Sequence, residues 1–224
     1  MVKLVYTRHS KCRGSNLVSV RVRPAAPHKF KNLNKFNKSK KLAYIIGIAI
    51  GDGNLSNPNG RAVRLRISCD NKYPKLIKRI SKNISELFPK NKVSLIKRKD
   101  NCTDISCYSN RWELILGWKA KDGSKFKQKI SIPKWIKASN DYIKPCLKGL
   151  LETDGSIYFD RKYIMVNFVT IIPTIANDFI EITKKIGYNP NIQKIKIASK
   201  KIKHTIRISR NTKSFIDNIK ISKN

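Results

Sequence analysis

The chain has 224 residues, of which 40% are hydrophobic, and 49 basic against 14 acidic side chains give it a formal net charge of +35. That apolar fraction excludes a disordered basic tail. The single-sign excess stores self-repulsion that a polyanion relieves, and nucleic acid leads because phosphate neutralisation with counterion release rewards such charge. A generic basic protein, such as a ribosomal component, is the competing reading of composition. A membrane surface is disfavoured, since no basic amphipathic helix with a Trp/Leu face is found. Cys12, Cys69, Cys102, Cys107 and Cys146 are odd in number and form no CxxC pair, and only His9, His28 and His204 could join them. This argues against a zinc module and for a reducing compartment, in the cytoplasm, nucleoid or an organelle matrix. The start lacks the apolar core of a signal peptide, and Leu42–Ile50 is far shorter than the roughly 20 residues a bilayer needs. A soluble intracellular protein with no membrane partner is the expectation.

In chain order, residues 1–40 are basic, punctuated by Pro24 and Pro27, with one short strand expected at Leu17–Val22. Helical propensity runs from about Lys40 to Asp52. Arg61–Asp70 alternates, with Val63, Leu65, Ile67 and Cys69 on one face and Arg64, Arg66, Ser68 and Asp70 on the other, as in a half-buried strand. Ile77, Ile80, Ile84 and Leu87 recur at helical spacing until Pro89. Val93–Arg98 and Asp104–Tyr108 read as strands, and Trp112–Trp118 as a short helix. The order then repeats: a helix over about Asn140 to Asp154, a strand over Tyr163–Thr170, and a helix with Ile175, Phe179, Ile182 and Ile186 closed by Gly187. Strands at Ile192–Ile197 and Thr205–Ser209 and a last helix at Lys213–Ile219 complete it. Lys129-Ile130-Ser131 and Lys220-Ile221-Ser222 follow the final helix of each half. The expectation is a duplicated αββαββα unit of the α/β (α+β) class. Residues 1–40 would be a basic extension, 41–118 the first half, 119–140 a linker and 141–224 the second half.

Each half opens on an apolar helix that stops at Asp-Gly: Leu42 to Gly53, and Leu147 to Gly155. Ala43, Gly47 and Gly51 leave one face of the first helix almost bare, and Pro145, Gly149 and Thr153 hold the same register in the second. Small residues four apart let two helix backbones approach closely. Packed along these faces, the helices would bring Asp52 and Asp154 side by side at the end where unpaired carbonyls and the negative dipole end favour a cation. Oxygen-only ligands suit Mg²⁺. Gly53 and Gly155 are expected in the left-handed turn after a helix end. An Asp-Gly pair that merely ends a buried helix is common; two copies in matching register, among 14 acidic residues, are not.

The runs Leu42–Gly53 and Leu147–Gly155 resemble the paired motifs of LAGLIDADG homing endonucleases of the single-chain, two-motif type. Ile132-Pro133-Lys134-Trp135-Ile136 is similar to a segment often found before the second motif. The likeness covers roughly residues 40–224. It implies a pseudo-twofold fold with the motif helices at the interface and two antiparallel sheets forming a saddle over double-stranded DNA. It also implies an intron-encoded monomer that makes a double-strand break at a long asymmetric site. Asp52 and Asp154 would be the catalytic metal ligands, joined by the backbone carbonyls of Gly51 and Thr153, with Mg²⁺ as cofactor and Mn²⁺ or Ca²⁺ as substitutes, Ca²⁺ in a non-cleaving complex. Each half would cut one strand.

A basic residue near the metals is expected from the likeness, and Lys129 and Lys220 hold that place. Glu152 is read as solvated or salt-bridged. The polar strand faces would contact DNA through Arg64, Arg66, Ser68, Arg98, Ser106 and Tyr108 in the first half. In the second, Asn167, Gln193, Lys194, Lys196, Thr205, Arg207 and Ser209 would do so. Two other readings use the same fold: a maturase that binds intron RNA, and a DNA-binding protein that does not cut. Intact Asp52 and Asp154 favour the nuclease, because neither binder needs them.

Overall fold

Helix α1 (Lys40–Asp52) buries every residue from Leu42 to Ile50. A helix apolar on all sides belongs inside a fold rather than on its surface. In the structure, a computed structural model that describes residues 36–58 and 60–222, α1 lies at the centre, packed along α5 (Asn140–Thr153). Each begins at a serine: Ser39 Oγ accepts from the Leu42 N–H at 3.1 Å, and Ser139 Oγ from the Asp141 N–H at 3.3 Å. Such caps satisfy donors that the first helical turn leaves open.

Bare surfaces set the helix crossing. A methyl group on Gly47 would stand 2.2 Å from the Cys146 carbonyl oxygen, and one on Gly149 would stand 2.5 Å from that of Tyr44. No side chain fits at either point, so the two backbones touch.

Each central helix feeds an antiparallel sheet. The first contains β1 (Gly53–Ser56), β2 (Arg64–Asp70), β3 (Val93–Lys97) and β4 (Cys102–Tyr108), in the order β1-β2-β4-β3. The second contains β5 (Gly155–Asp160), β6 (Tyr163–Thr170), β7 (Asn191–Lys196) and β8 (Ile202–Ile208), in the order β5-β6-β8-β7. Helix α2 (Pro74–Leu87) buries Leu76, Ile80 and Ile84, four apart, and starts on a proline where a missing N–H costs nothing. Its counterpart is α6 (Pro173–Lys185), after which Gly187 turns with φ +91°. The short α3 (Trp112–Leu116) ends on Gly117 in the left-handed region, and α7 (Thr212–Ile219) ends on Lys220 in the same region. Between the repeats stands α4 (Lys134–Lys137), so part of the segment expected as plain connection is helical. The order αββαββα thus appears twice, each time with the same sheet topology.

Sheet alternation separates two environments. Leu65, Ile67, Ile105 and Cys107 in the first sheet, and Val166, Phe168, Ile206 and Ile208 in the second, join the helices in the core. Phe168 stacks on Phe179 of α6 with ring centroids 4.3 Å apart. The opposite faces carry the polar residues.

Several expectations need correction. The sequence does not mark strands β1 and β5, because Gly-Asn-Leu-Ser and Gly-Ser-Ile-Tyr-Phe-Asp lack a clean alternation. Gly53 is extended (φ −79°, ψ 146°), and Gly155 has no positive φ. These glycines are required for space instead: a methyl group would meet the Ala49 oxygen at 2.5 Å or the Leu151 oxygen at 2.4 Å, where the chain folds back on its own helix. The expected strand at Leu17–Val22 lies outside the described residues.

Candidate active site

Asp52 closes α1 and opens on β1, and Asp154 stands between α5 and β5. Both side chains are exposed. The helix contact brings them together: a methyl group on Gly51 would lie 2.1 Å from Thr153 Oγ1 and 3.2 Å from Asp154 Oδ2. Thr153 turns its hydroxyl inward and donates to the Leu150 and Gly149 carbonyls at 2.9 and 3.1 Å.

A third group that the sequence does not mark stands near both acids. The Lys125 ammonium donates to the carbonyls of Ala49, Ile50 and Gly51 at the end of α1, that of Ala49 at 3.3 Å. Burial pulls its pKa below the usual lysine value, against the opposing pull of Asp154 and Asp52. Lysine is abundant here, and Lys125 meets its partners across 74 to 76 residues of sequence, so no spacing could have marked it. Beside this group lies a cavity of 420 Å³, lined in part by Gly51, Lys125, Asp154, Thr170, Lys201 and Lys203.

Of the two lysines expected at this place, Lys220 stands elsewhere. Lys129 is exposed, in the left-handed region at φ +48°, and Lys125 rather than Lys129 reaches the helix end. Lys220 lines a cavity with Lys40, Lys41 and Asp141, at the N-terminal ends of α1 and α5. That is the far end of helices about 20 Å long at 1.5 Å per residue. The second Lys-Ile-Ser is therefore no guide to the acid pair. Of the two readings of Glu152, the salt-bridged one holds: it is 3% exposed, accepts from the Tyr44 hydroxyl at 2.6 Å and pairs with Arg79 at 2.9 Å. Burial, with Glu152 adding to it, pushes the Tyr44 hydroxyl far above its ordinary pKa.

On the first sheet, Arg64 stands opposite Tyr108, Arg66 opposite Ser106, and Ser68 opposite Asp104, so these share the polar face. Arg98 follows the end of β3 and reaches the same place. Asp104, missed in the sequence, organises it. The residue is 7% exposed, and its carboxylate accepts from Ser68 Oγ at 2.6 Å and lies 3.6 Å from Arg98 and 3.9 Å from Arg66. An acid sharing parity with Ser106 and Tyr108 was the available signal. Arg66 Nε and Ser106 Oγ are buried and make no hydrogen bond.

On the second sheet, Asn167 stands opposite Arg207, whose Nε donates to Asn167 Oδ1 at 3.3 Å; Gln193 pairs with Thr205 on the same face. Ser209 lies one residue past β8, with the Asn191 amide 3.5 Å from its hydroxyl. Lys194 and Lys196 do not join this face. They stand opposite His204 and Ile202, because adjacent residues of a strand point to opposite sides of its sheet.

Two carboxylates and a fringe of helix carbonyls gather oxygen donors around one ammonium. Among the described residues no group of three or more His, Cys, Asp or Glu side chains could hold a metal, so carbonyls, water or a ligand's oxygens would complete any coordination.

Comparison with known proteins gives the class. Residues 141–220 match the LAGLIDADG-like domain family. With the paired helices and twin sheets, the chain carries a LAGLIDADG-like domain on the α+β fold of the single-chain, two-motif LAGLIDADG homing endonucleases. Among solved structures it is similar to I-DmoI in complex with DNA and Mn, at 18% identity and a TM-score of 0.61, over 83% of this chain and 99% of that one. The complex of I-DmoI with DNA and Ca is similar at 18% identity and TM-score 0.57, over 84% and 91%. The N-terminal LAGLIDADG domain of DUF199/WhiA is similar at 13% identity and TM-score 0.56, over 85% and 88%. No curated protein sequence matches the chain. Among the described residues no helix is long and apolar enough to cross a membrane.

Proposed function

We propose that the protein is a DNA endonuclease that makes a double-strand break at a long asymmetric site, assisted by a divalent cation. The observation that carries this reading is the convergence of Asp52, Asp154 and Lys125 at the touching ends of α1 and α5. Residues 41–118 and 141–224 would be its two halves, each addressing one strand.

The donor set fits a hard cation. Its atoms are carboxylate and carbonyl oxygens, and the Lys125 ammonium already donates to one of them, the Gly51 carbonyl, as well as to those of Ala49 and Ile50. Asp52, Asp154 and the Gly51 and Thr153 carbonyls would hold the ion. Bound there, a metal such as Mg²⁺ would activate water and stabilise the leaving 3′ oxygen. Lys125, in the role expected of Lys129 or Lys220, would meet the charge that develops on the phosphate; its burial keeps that ammonium from being spent on solvent. Arg64, Arg66 and Arg98 on one sheet, and Asn167, Gln193, Thr205 and Arg207 on the other, would contact base edges. Loop lysines would neutralise phosphates and fix the position of the duplex.

A second reading, a DNA-binding protein that does not cut, draws on Lys125 itself, since its ammonium competes with a metal for the Gly51 carbonyl. Selection from a plasmid library with a randomised insert, in Mg²⁺ or Mn²⁺, separates the two. The nuclease reading expects linearised plasmid from the wild type and none from Asp52→Ala. Tight binding of a selected sequence without any metal-dependent break would establish the binder.

A further inference from the structure

We propose that the cavity at the N-terminal ends of α1 and α5, beside the end of α7, is a binding site for a phosphate group, separate from the Asp52–Asp154 centre. The cavity measures 640 Å³ and is lined in part by Tyr44, Arg79, Lys144, Lys148, Asp217 and Lys220. It lies at the opposite end of the two central helices from the acid pair.

Its cations outnumber the acids that serve them. Lys40 at the rim is paired with Asp141 at 2.9 Å, and Lys41 with Glu86. Arg79 and Lys148 share one carboxylate, Glu152, at 2.9 and 3.8 Å, and that side chain is fully buried. Among the described residues, Lys144 and Lys220 have no carboxylate within ion-pair distance, although Asp217 lies on the same wall. Burial lowers the pKa of Lys148, and the neighbouring Arg79 and Lys220 lower it further, against the opposing pull of Glu152. The cluster is short of negative charge at a half-enclosed place, where an added anion is screened least.

The shape of the donors selects the anion. Three ammonium groups and Nη1 of Arg79, whose Nε and Nη2 are held by Tyr44, Glu152 and Ser222, surround one concavity and match the several oxygens and multiple charge of a phosphate better than a single carboxylate. Residues 1–35 carry no acidic side chain, so they are poor candidates to supply the missing charge. The phosphate could belong to a free phosphorylated molecule or to a polynucleotide backbone, and the chemistry recognised is the same.

The test titrates the full-length protein with inorganic pyrophosphate and, separately, with a single-stranded oligoribonucleotide, following nitrogen-detected resonances of the Arg79 and Lys148 side chains. The comparison is Lys144→Gln/Lys220→Asn, asparagine being tolerated at the left-handed position of Lys220. Saturable shifts centred on Arg79 and Lys148, with affinity reduced about tenfold or more in the double variant, are expected. Pyrophosphate binding alone would support a free ligand, and binding of both probes a polynucleotide. Equal affinity in the double variant, shifts spread evenly over the basic surface, or no binding of either probe would overturn the proposal.

Discussion

Lys125 brings a part-buried ammonium to the place where two helix ends and two carboxylates meet. Its removal separates two roles that a surface lysine would mix. For Lys125→Met, cleavage is expected to fall by roughly 10²–10³, the scale for losing one preorganised charge donor, while the affinity for DNA stays within a few fold. Equal cleavage by the variant, measured as the initial rate of linear product, would remove Lys125 from the chemistry. A buried imidazole bears on stability. His204 is 5% exposed, and neither ring nitrogen has a hydrogen-bond partner. Burial, then the nearby Lys194, lowers its pKa below the ordinary 6.5. Between the lowered value and 6.5 the unfolded chain binds more protons, so acidification through that window favours unfolding. Urea denaturation at pH 7 and pH 5 should show a larger loss of stability for the wild type than for His204→Leu. A similar pH dependence in both would assign the loss to other groups.

At the scale of elements, the crossing of α1 and α5 depends on two absent side chains. Gly149→Ala would force a methyl group to 2.5 Å from the Tyr44 oxygen and 2.7 Å from the Ile48 nitrogen, both backbone atoms that cannot swing aside. We expect a loss of about 3 kcal/mol in denaturant unfolding, the upper part of the usual overpacking range. The loss should carry to the acid pair, since the same contact sets their spacing; a variant as stable as wild type would show that the helices meet elsewhere. The elements themselves were largely legible. The alternation in Arg61–Asp70 and the four-residue spacing of Ile80 and Ile84 mark β2 and α2 because one face of each is buried. β1 and β5 escaped because they are short edge strands, β5 with no buried residue, so neither bears a clear periodicity. The same limit misplaced Lys194 and Lys196, since all residues of β7 are exposed and its pattern could not tell one face from the other.

Across the whole molecule, duplication was readable because it is written twice in the sequence, in helices that must touch and therefore must be bare. The pairing of Asp52 with Asp154 follows from that contact. What surrounds them was not readable. Lys125 and Asp104 act through contacts between distant segments, and in a chain with 49 basic residues composition cannot say which lysine is buried. The excess of +35 explains why the fold would seek a polyanion, yet it is spread along the whole sequence. Cation binding is therefore more discriminating than charge. Calorimetric titration of Mn²⁺ into the wild type and into Asp52→Asn/Asp154→Asn, each without and with saturating duplex DNA, tests the acid pair most directly. Binding by the wild type that strengthens with DNA and disappears in the double variant is predicted; undiminished binding in that variant would contradict a metal centre at the helix ends.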